Sequence, residues 1–189
     1  MELSGFGVRS KMWIDVYVQA LYQSFYSDKP FEVMQSNTEM AIRIQITSAM
    51  VSSGKLTRNF NSGFERSAGA NLEALRPRIE KFKSYLSDQI VEKDVFNLIY
   101  NPADASVYVY KNDELKGTVP GIDFKIALFG IWLSNNPVDE QLKKGRVYFL
   151  KLPITPASNS FTSYFPSSLN PILTITKSRD GIINTFCPW

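Results

Sequence analysis

Apolar and polar side chains alternate over residues 11–22, with Met12, Ile14, Val16 and Val18 on one face and Trp13, Asp15, Tyr17 and Gln19 on the other. That period of two predicts a β-strand. Ala41–Thr47 repeats it, Ile42, Ile44 and Ile46 alternating with Arg43 and Gln45. Between the two strands Ser27-Asp28-Lys29-Pro30 marks a turn, and the residues up to Glu39 predict a short helix. From Lys55 the period changes. Leu56, Phe60, Phe64 and Ala68 recur at every fourth position, the stripe of an amphipathic helix. Ile79, Phe82 and Leu86 carry a second stripe. Pro77 suits a first turn rather than a helix interior, so the chain predicts two helices divided near residues 69–76.

Residues 94–100 and 105–111 read as strands joined by the turn Asn101-Pro102-Ala103-Asp104. A second turn at Lys111-Asn112-Asp113-Glu114 leads to a short strand at Leu115–Val119. Gly121–Leu133 then predicts a helix with its charges confined to Asp123 and Lys125, near the start. Ile122, Ile126, Phe129 and Leu133 line one side, and Leu128, Ile131 and Trp132 cover much of the rest. A short helix that is apolar almost all round belongs in a core, here against the sheet. After Gly145 the pattern is lost. Of the last 44 residues 19 are Ser, Thr, Asn or Pro and none is Glu, so residues 146–189 read as a tail beyond the domain of residues 1–145.

Composition narrows the functional classes. With 44% hydrophobic residues over 189 positions the chain can build one sizeable core. The net charge of +3 is not a property of the predicted domain. Residues 1–145 hold 17 basic and 17 acidic side chains, and the excess lies in the tail. Nucleic-acid binding, which needs clustered positive charge, is therefore not expected. There is no membrane-spanning apolar run, and the first residues lack the apolar segment of a secretory signal. The chain contains no histidine and a single cysteine, Cys187, which removes His-based or multi-cysteine zinc sites and Ser-His or Cys-His nucleophile pairs. No metal or cofactor is expected, and Tyr, Lys, Asp or Glu would have to carry any acid–base chemistry.

Two motifs remain. Gly5-Phe6-Gly7-Val8-Arg9 places an arginine at the edge of the first strand, ahead of Tyr17 and Tyr22. Gly117-Thr118-Val119-Pro120-Gly121 opens the apolar helix, and Asn135-Asn136-Pro137 followed by Leu142-Lys143-Lys144-Gly145 closes it. The glycines of the first motif precede a strand rather than a helix and are not followed by Gly-Lys-Ser/Thr, so they form no phosphate loop. In this order and at this separation, the motifs resemble the bacterial branch of the chalcone-isomerase-like family, over about Met1 to Gly145. The resemblance implies an α+β fold: an antiparallel sheet with helices packed on one face, as in plant chalcone isomerase. It also implies a start short of the family's N-terminal strands. Family members are often exported, so the compartment stays open, as does the oligomeric state.

The resemblance also implies a site. Arg9 falls where the family's arginine faces the cleft, and Tyr17 where the fatty-acid-binding members carry a tyrosine that shares the ligand carboxylate. The enzymes have a threonine at the place of Tyr17. Their late-helix threonine falls at Ile131, with Trp132 beside it, both tentative lining residues of an apolar pocket. The tyrosine and asparagine that the enzymes place seven apart on the helix after the second strand have no match in register around Leu56–Gly63, although Asn59 and Asn61 lie nearby. Geometry sets a condition on the pair. Eight residues of extended chain span roughly 26 Å, so Arg9 and Tyr17 can share a headgroup only if the chain reverses between them, near Ser10-Lys11. The reading is non-catalytic binding of a fatty acid or similar apolar carboxylate between sheet and helices. The alternatives are an isomerase acting on a chalcone-like conjugated ketone and an interaction protein with a vestigial pocket.

Overall fold

The computed structural model describes residues 1–134 apart from Met12, Tyr26, Asp28 and the side chain of Lys11, together with the backbone of residues 177–178 and 181–182. Six strands run β1 (Glu2–Lys11), β2 (Ile14–Gln23), β3 (Met40–Ile46), β4 (Val95–Asn101), β5 (Ser106–Lys111) and β6 (Glu114–Pro120). They form one antiparallel sheet in sequence order. Between β2 and β3 lies α1 (Pro30–Gln35). Helices α2 (Ser53–Ser67) and α3 (Leu72–Ser84) connect β3 to β4, and α4 (Ile122–Leu133) follows β6. This is the α+β architecture expected, with the helices on one face of an open sheet. In the tail, Lys177–Ser178 and Gly181–Ile182 pair as a separate two-stranded ribbon. Its other residues, with the expected helix end at Lys143-Lys144, lie outside the described set.

Residues paired across strands share a face. The register therefore aligns Arg9, Tyr17 and Ile46 in one row, Gln19, Ile44 and Phe96 in the next, and Leu21, Ile42, Leu98 and Val109 in a third. This is the face the helices cover. Ile42, Ile44, Phe96, Leu98 and Val109 are completely or almost completely buried there, against Leu56, Phe60 and Phe64 of α2 and Phe82 of α3. Phe60, Phe64, Phe82 and Phe124 stack their edges and faces at centroid distances of 5.0–5.8 Å. Ser52 caps α2, its hydroxyl accepting from the Lys55 amide.

Three features differ from the sequence reading. The strand expected at 11–22 is the second of a hairpin, and residues 2–11 are themselves a strand. The reversal falls between Lys11 and Ile14, which pair directly, just beyond the Ser10-Lys11 position. Within β2 the helices bury Tyr17, Gln19, Leu21 and Gln23, while Val16 and Val18 on the more apolar face stay half-buried. Pro77 sits inside α3 rather than in its first turn. A 3-10 turn at Gly69–Asn71 leads straight into α3, so the helix begins earlier. The N–H that Pro77 lacks would have bonded to the carbonyl of Glu73, an exposed residue whose carbonyl water can reach.

Lys125 is the unexpected core residue. It has no exposed surface, although it was read as a charge near the helix start. Its ammonium donates to the Met34 carbonyl at 2.8 Å and the Ser36 carbonyl at 2.6 Å, with the Val33 carbonyl at 3.5 Å. These are carbonyls that the end of α1 leaves without helical partners, so α4 caps α1 from outside. The rings of Tyr100 and Phe129 lie 5.2 and 5.9 Å away. Burial pushes the ammonium down to about 8. Against the unfolded value of about 10.4, the unfolded chain then binds more protons between the two values, so this group adds stability as pH rises from about 8 to 10.4 and loses it on the way back down. Denaturant unfolding of wild type and Lys125→Met across that window should give curves that diverge in favour of wild type at high pH. Parallel curves would mean that the three carbonyls offset the burial.

Candidate functional site

Arg9 and Tyr17 are direct partners across β1 and β2. The hairpin turns the extended separation into neighbouring positions, and the Arg9 Nη1 donates to the Tyr17 hydroxyl at 3.3 Å. The guanidinium carbon lies 5.7 Å from the centre of the same ring. Tyr17 is buried and Arg9 half-buried, and no carboxylate pairs with Arg9 among the described residues. A guanidinium in this position keeps donors free for a planar anion.

The pair forms one side of a cavity of about 10 Å³. Ile44 forms part of its floor and Leu56, Phe60 and Asn59 of α2 one wall. Ile131 and Trp132 of α4 close the opposite side. All four residues singled out from the sequence, Arg9, Tyr17, Ile131 and Trp132, thus meet at one place. Phe60 and Trp132 pack edge to face with centroids 5.7 Å apart, which holds the wall shut. Ile131 in turn rests on α2 at Gly63, where a Cβ would lie 2.7 Å from its Cγ2. Glycine at that place lets α2 and α4 approach closely.

Two polar features join these residues. Asn59 lines the cavity, although its register with the enzymes' asparagine is poor. Three residues after Leu56 and one before Phe60, it lies at the edge of the buried stripe. Gln19 and Gln23 continue the Tyr17 face of β2 and are buried, and neither amide has a hydrogen-bond partner among the described residues. Alternation puts them on the Tyr17 face, but which face the helices cover is not visible in the strand's own pattern. A buried amide left unpaired costs about 1–3 kcal/mol, so the strand carries polarity here against its stability. The described residues contain no cluster of acidic or cysteine side chains able to hold a metal.

The sequence matches the family model described as chalcone isomerase-like over residues 1–145. The chain belongs to the chalcone isomerase-like family. A solved structure with a similar fold is the fatty-acid binding protein AtFAP1 of Arabidopsis thaliana, at a TM-score of 0.60. The match covers 78% of this chain and 87% of that one at 16% identity, which is a likeness of fold. No curated protein matches the chain. Within this chalcone isomerase-like domain the cavity between β1–β2 and α2–α4 joins a basic group, a phenol and an amide to apolar walls, a combination suited to holding a small amphipathic anion.

Proposed function

We propose that this chalcone isomerase-like protein binds a fatty acid or similar apolar carboxylate without transforming it. The observation that carries the reading is the Arg9 guanidinium, without a carboxylate partner among the described residues, beside the Tyr17 hydroxyl at an otherwise largely apolar cavity. Arg9 supplies charge and a two-pronged donor, Tyr17 a further hydrogen bond, and Leu56, Phe60, Ile131 and Trp132 the surface for the chain. The name of the structural neighbour agrees with this chemistry.

A second reading has its own support. The free volume of about 10 Å³ holds roughly one water, whereas bound ligands of drug size occupy hundreds of Å³. Binding therefore requires Phe60 and Trp132 to swing apart, and a protein in which they never do so has a vestigial pocket. Native mass spectrometry of the purified full chain, before and after organic extraction and after incubation with a long-chain fatty acid, separates the two. An extractable or added mass of one fatty acid supports binding. A single unliganded mass under all three conditions favours the vestigial site.

Catalysis is tested separately. Since the resemblance places Ile131 where the enzymes carry a threonine and finds no match for their tyrosine and asparagine around Leu56–Gly63, we expect no chalcone cyclisation above the uncatalysed rate. An absorbance assay on a hydroxylated chalcone, with the flavanone resolved on a chiral column, checks this. One enantiomer formed in proportion to protein would move the reading to an isomerase, with Asn59 the first residue to replace.

A further inference from the structure

The β1–β2 turn carries a fully exposed aromatic side chain. Trp13 is fully exposed, at 102% of its reference surface, and its φ of 69° lies in the left-handed region. That conformation is unfavourable for a bulky residue, and glycine or asparagine would adopt it more readily. The side chain thus occupies a strained position and gains no packing among the described residues.

Other exposed apolar groups gather at the same end of the sheet. Ile14 follows Trp13, and Met50 stands on the loop between β3 and α2, both exposed. The loop is tied to the hairpin by the Thr47 hydroxyl, which donates to the Asp15 carbonyl at 2.9 Å, and by the Thr47 amide to the Val16 carbonyl at 3.2 Å. Exposed Val91 joins them from the approach to β4, where the Lys93 amide bonds to the Ile46 carbonyl at 2.8 Å.

Cations surround this tip. The Lys55 ammonium donates to the Met50 carbonyl at 2.8 Å, and the Arg58 guanidinium folds back toward Gly54 in the first turn of α2. Lys93 sits beside Val91. None of the three pairs with a carboxylate among the described residues. Of the acids at this end, Asp94 is bound to Lys111 at 3.1 Å and Glu114 to Lys116 at 2.8 Å, leaving Asp15, Glu92 and Asp113 against the cations. The opposite end of the sheet also exposes phenylalanines, Phe25 and Phe31, but there Lys29 is paired with Glu32 at 2.7 Å. At the first end the exposed apolar side chains stand beside cations that have no carboxylate partner among the described residues. A tryptophan flanked by aliphatic side chains and basic groups is the chemistry that seats in the headgroup region of an anionic bilayer.

We propose that the β1–β2 turn and the neighbouring 47–52 loop form a docking surface for an anionic lipid membrane, with Trp13, Ile14 and Met50 entering the interface and Lys55, Arg58 and Lys93 facing the lipid phosphates. The surface adjoins Arg9, Leu56 and Asn59, so a docked protein holds the candidate cavity next to the lipid. The proposal does not depend on that cavity being functional.

The test is co-sedimentation of the full chain with vesicles of phosphatidylcholine alone and of phosphatidylcholine with one-third phosphatidylglycerol. Partitioning onto the anionic vesicles only, weakened by added salt, is the expected result, with a blue shift of tryptophan emission that Trp13→Gly removes. Trp13→Gly relieves the backbone, so the fold is retained, and it should lower the partition coefficient about tenfold. Lys55→Ala with Lys93→Ala should lower it by a further factor of about twenty-five, at roughly fivefold per cation. Arg9→Ala should keep vesicle binding whatever it does to fatty-acid affinity, which separates this surface from the ligand site. No sedimentation with anionic vesicles, or sedimentation unchanged by Trp13→Gly, overturns the proposal and points to a protein partner for the hairpin.

Discussion

Arg9→Ala should weaken binding of a long-chain fatty acid by about 2–5 kcal/mol, as expected when one member of a desolvated charge pair is removed. Little should happen to the fold. Arg9 is half-buried, has no ion pair among the described residues, and offers the protein one hydrogen bond to Tyr17 and one contact with its ring. That ring contact is worth about 0.5–1 kcal/mol at an exposed site. Arg9→Lys should recover only part of the affinity, because lysine retains the charge without the planar fork. Tyr17→Phe should lose about 0.5–1.5 kcal/mol, the value of a neutral hydrogen bond. Calorimetric titration of the three variants, with their melting temperatures, checks the series. Equal affinity in wild type and Arg9→Ala would move the headgroup elsewhere, with Asn59 next to be replaced.

Gly121→Ala should destabilise the domain by about 2–6 kcal/mol. Gly121 precedes α4 with φ 111°, a conformation closed to L-residues without strain, which is worth about 1–3 kcal/mol. A Cβ there would also collide with the Arg78 guanidinium and the Asp123 carboxylate, and overpacking adds about 1–3 kcal/mol. Arg78 is fixed at that point. It donates to the Pro120 carbonyl at 3.1 Å and to Asp123 at 2.7 Å, and this pairing holds the Asp123 carboxyl below the ordinary range. Because α4 carries Ile131 and Trp132, a shifted start should also disturb the cavity wall. Urea unfolding measures the loss. Arg78→Ala in the Gly121→Ala background should restore only the steric part, and full recovery would show that backbone strain contributes nothing.

Much of the sheet could be read along the chain because its period of two is strong where one face is buried. Ile42, Ile44 and Ile46 in β3, and the strands on either side of Asn101–Asp104, are examples. The helices were legible for the same reason, as Leu56, Phe60 and Phe64 repeat at the spacing of one face. Hairpins separated from one another by clear turn residues also make an antiparallel sheet in sequence order the simplest arrangement, and the structure has it. The start of α3 was obscured because Pro77 is a stronger local signal than Gly69. A proline inside a helix is tolerated when the displaced carbonyl faces water, and nothing local reports that.

Along β1 and β2, local pattern stopped short of the site. Residues 2–11 alternate weakly, with two glycines and register shifts near Ser4 and Ser10, so their strand depends on pairing with β2. Met12-Trp13 is not a common turn dipeptide, which hid the position of the reversal.

The linear order of residues carries the periodicities, the charge balance of the domain and the absence of histidine, because each of these is a property of neighbours or of a sum. It also carries the Arg9–Tyr17 pair through the family resemblance. Position in space decided the rest. Strand alternation divides β2 into two faces equally well, and only the packing of α2 and α4 selects the Tyr17 side for burial, taking Gln19 and Gln23 with it. Lys125 reads as a charge near a helix start until α1 brings three carbonyls to it. The size of the cavity follows from how Phe60, Ile131 and Trp132 meet across two helices more than sixty residues apart in the chain. Contacts at that separation leave no local trace, since each side chain is shaped by partners its own sequence neighbourhood does not contain.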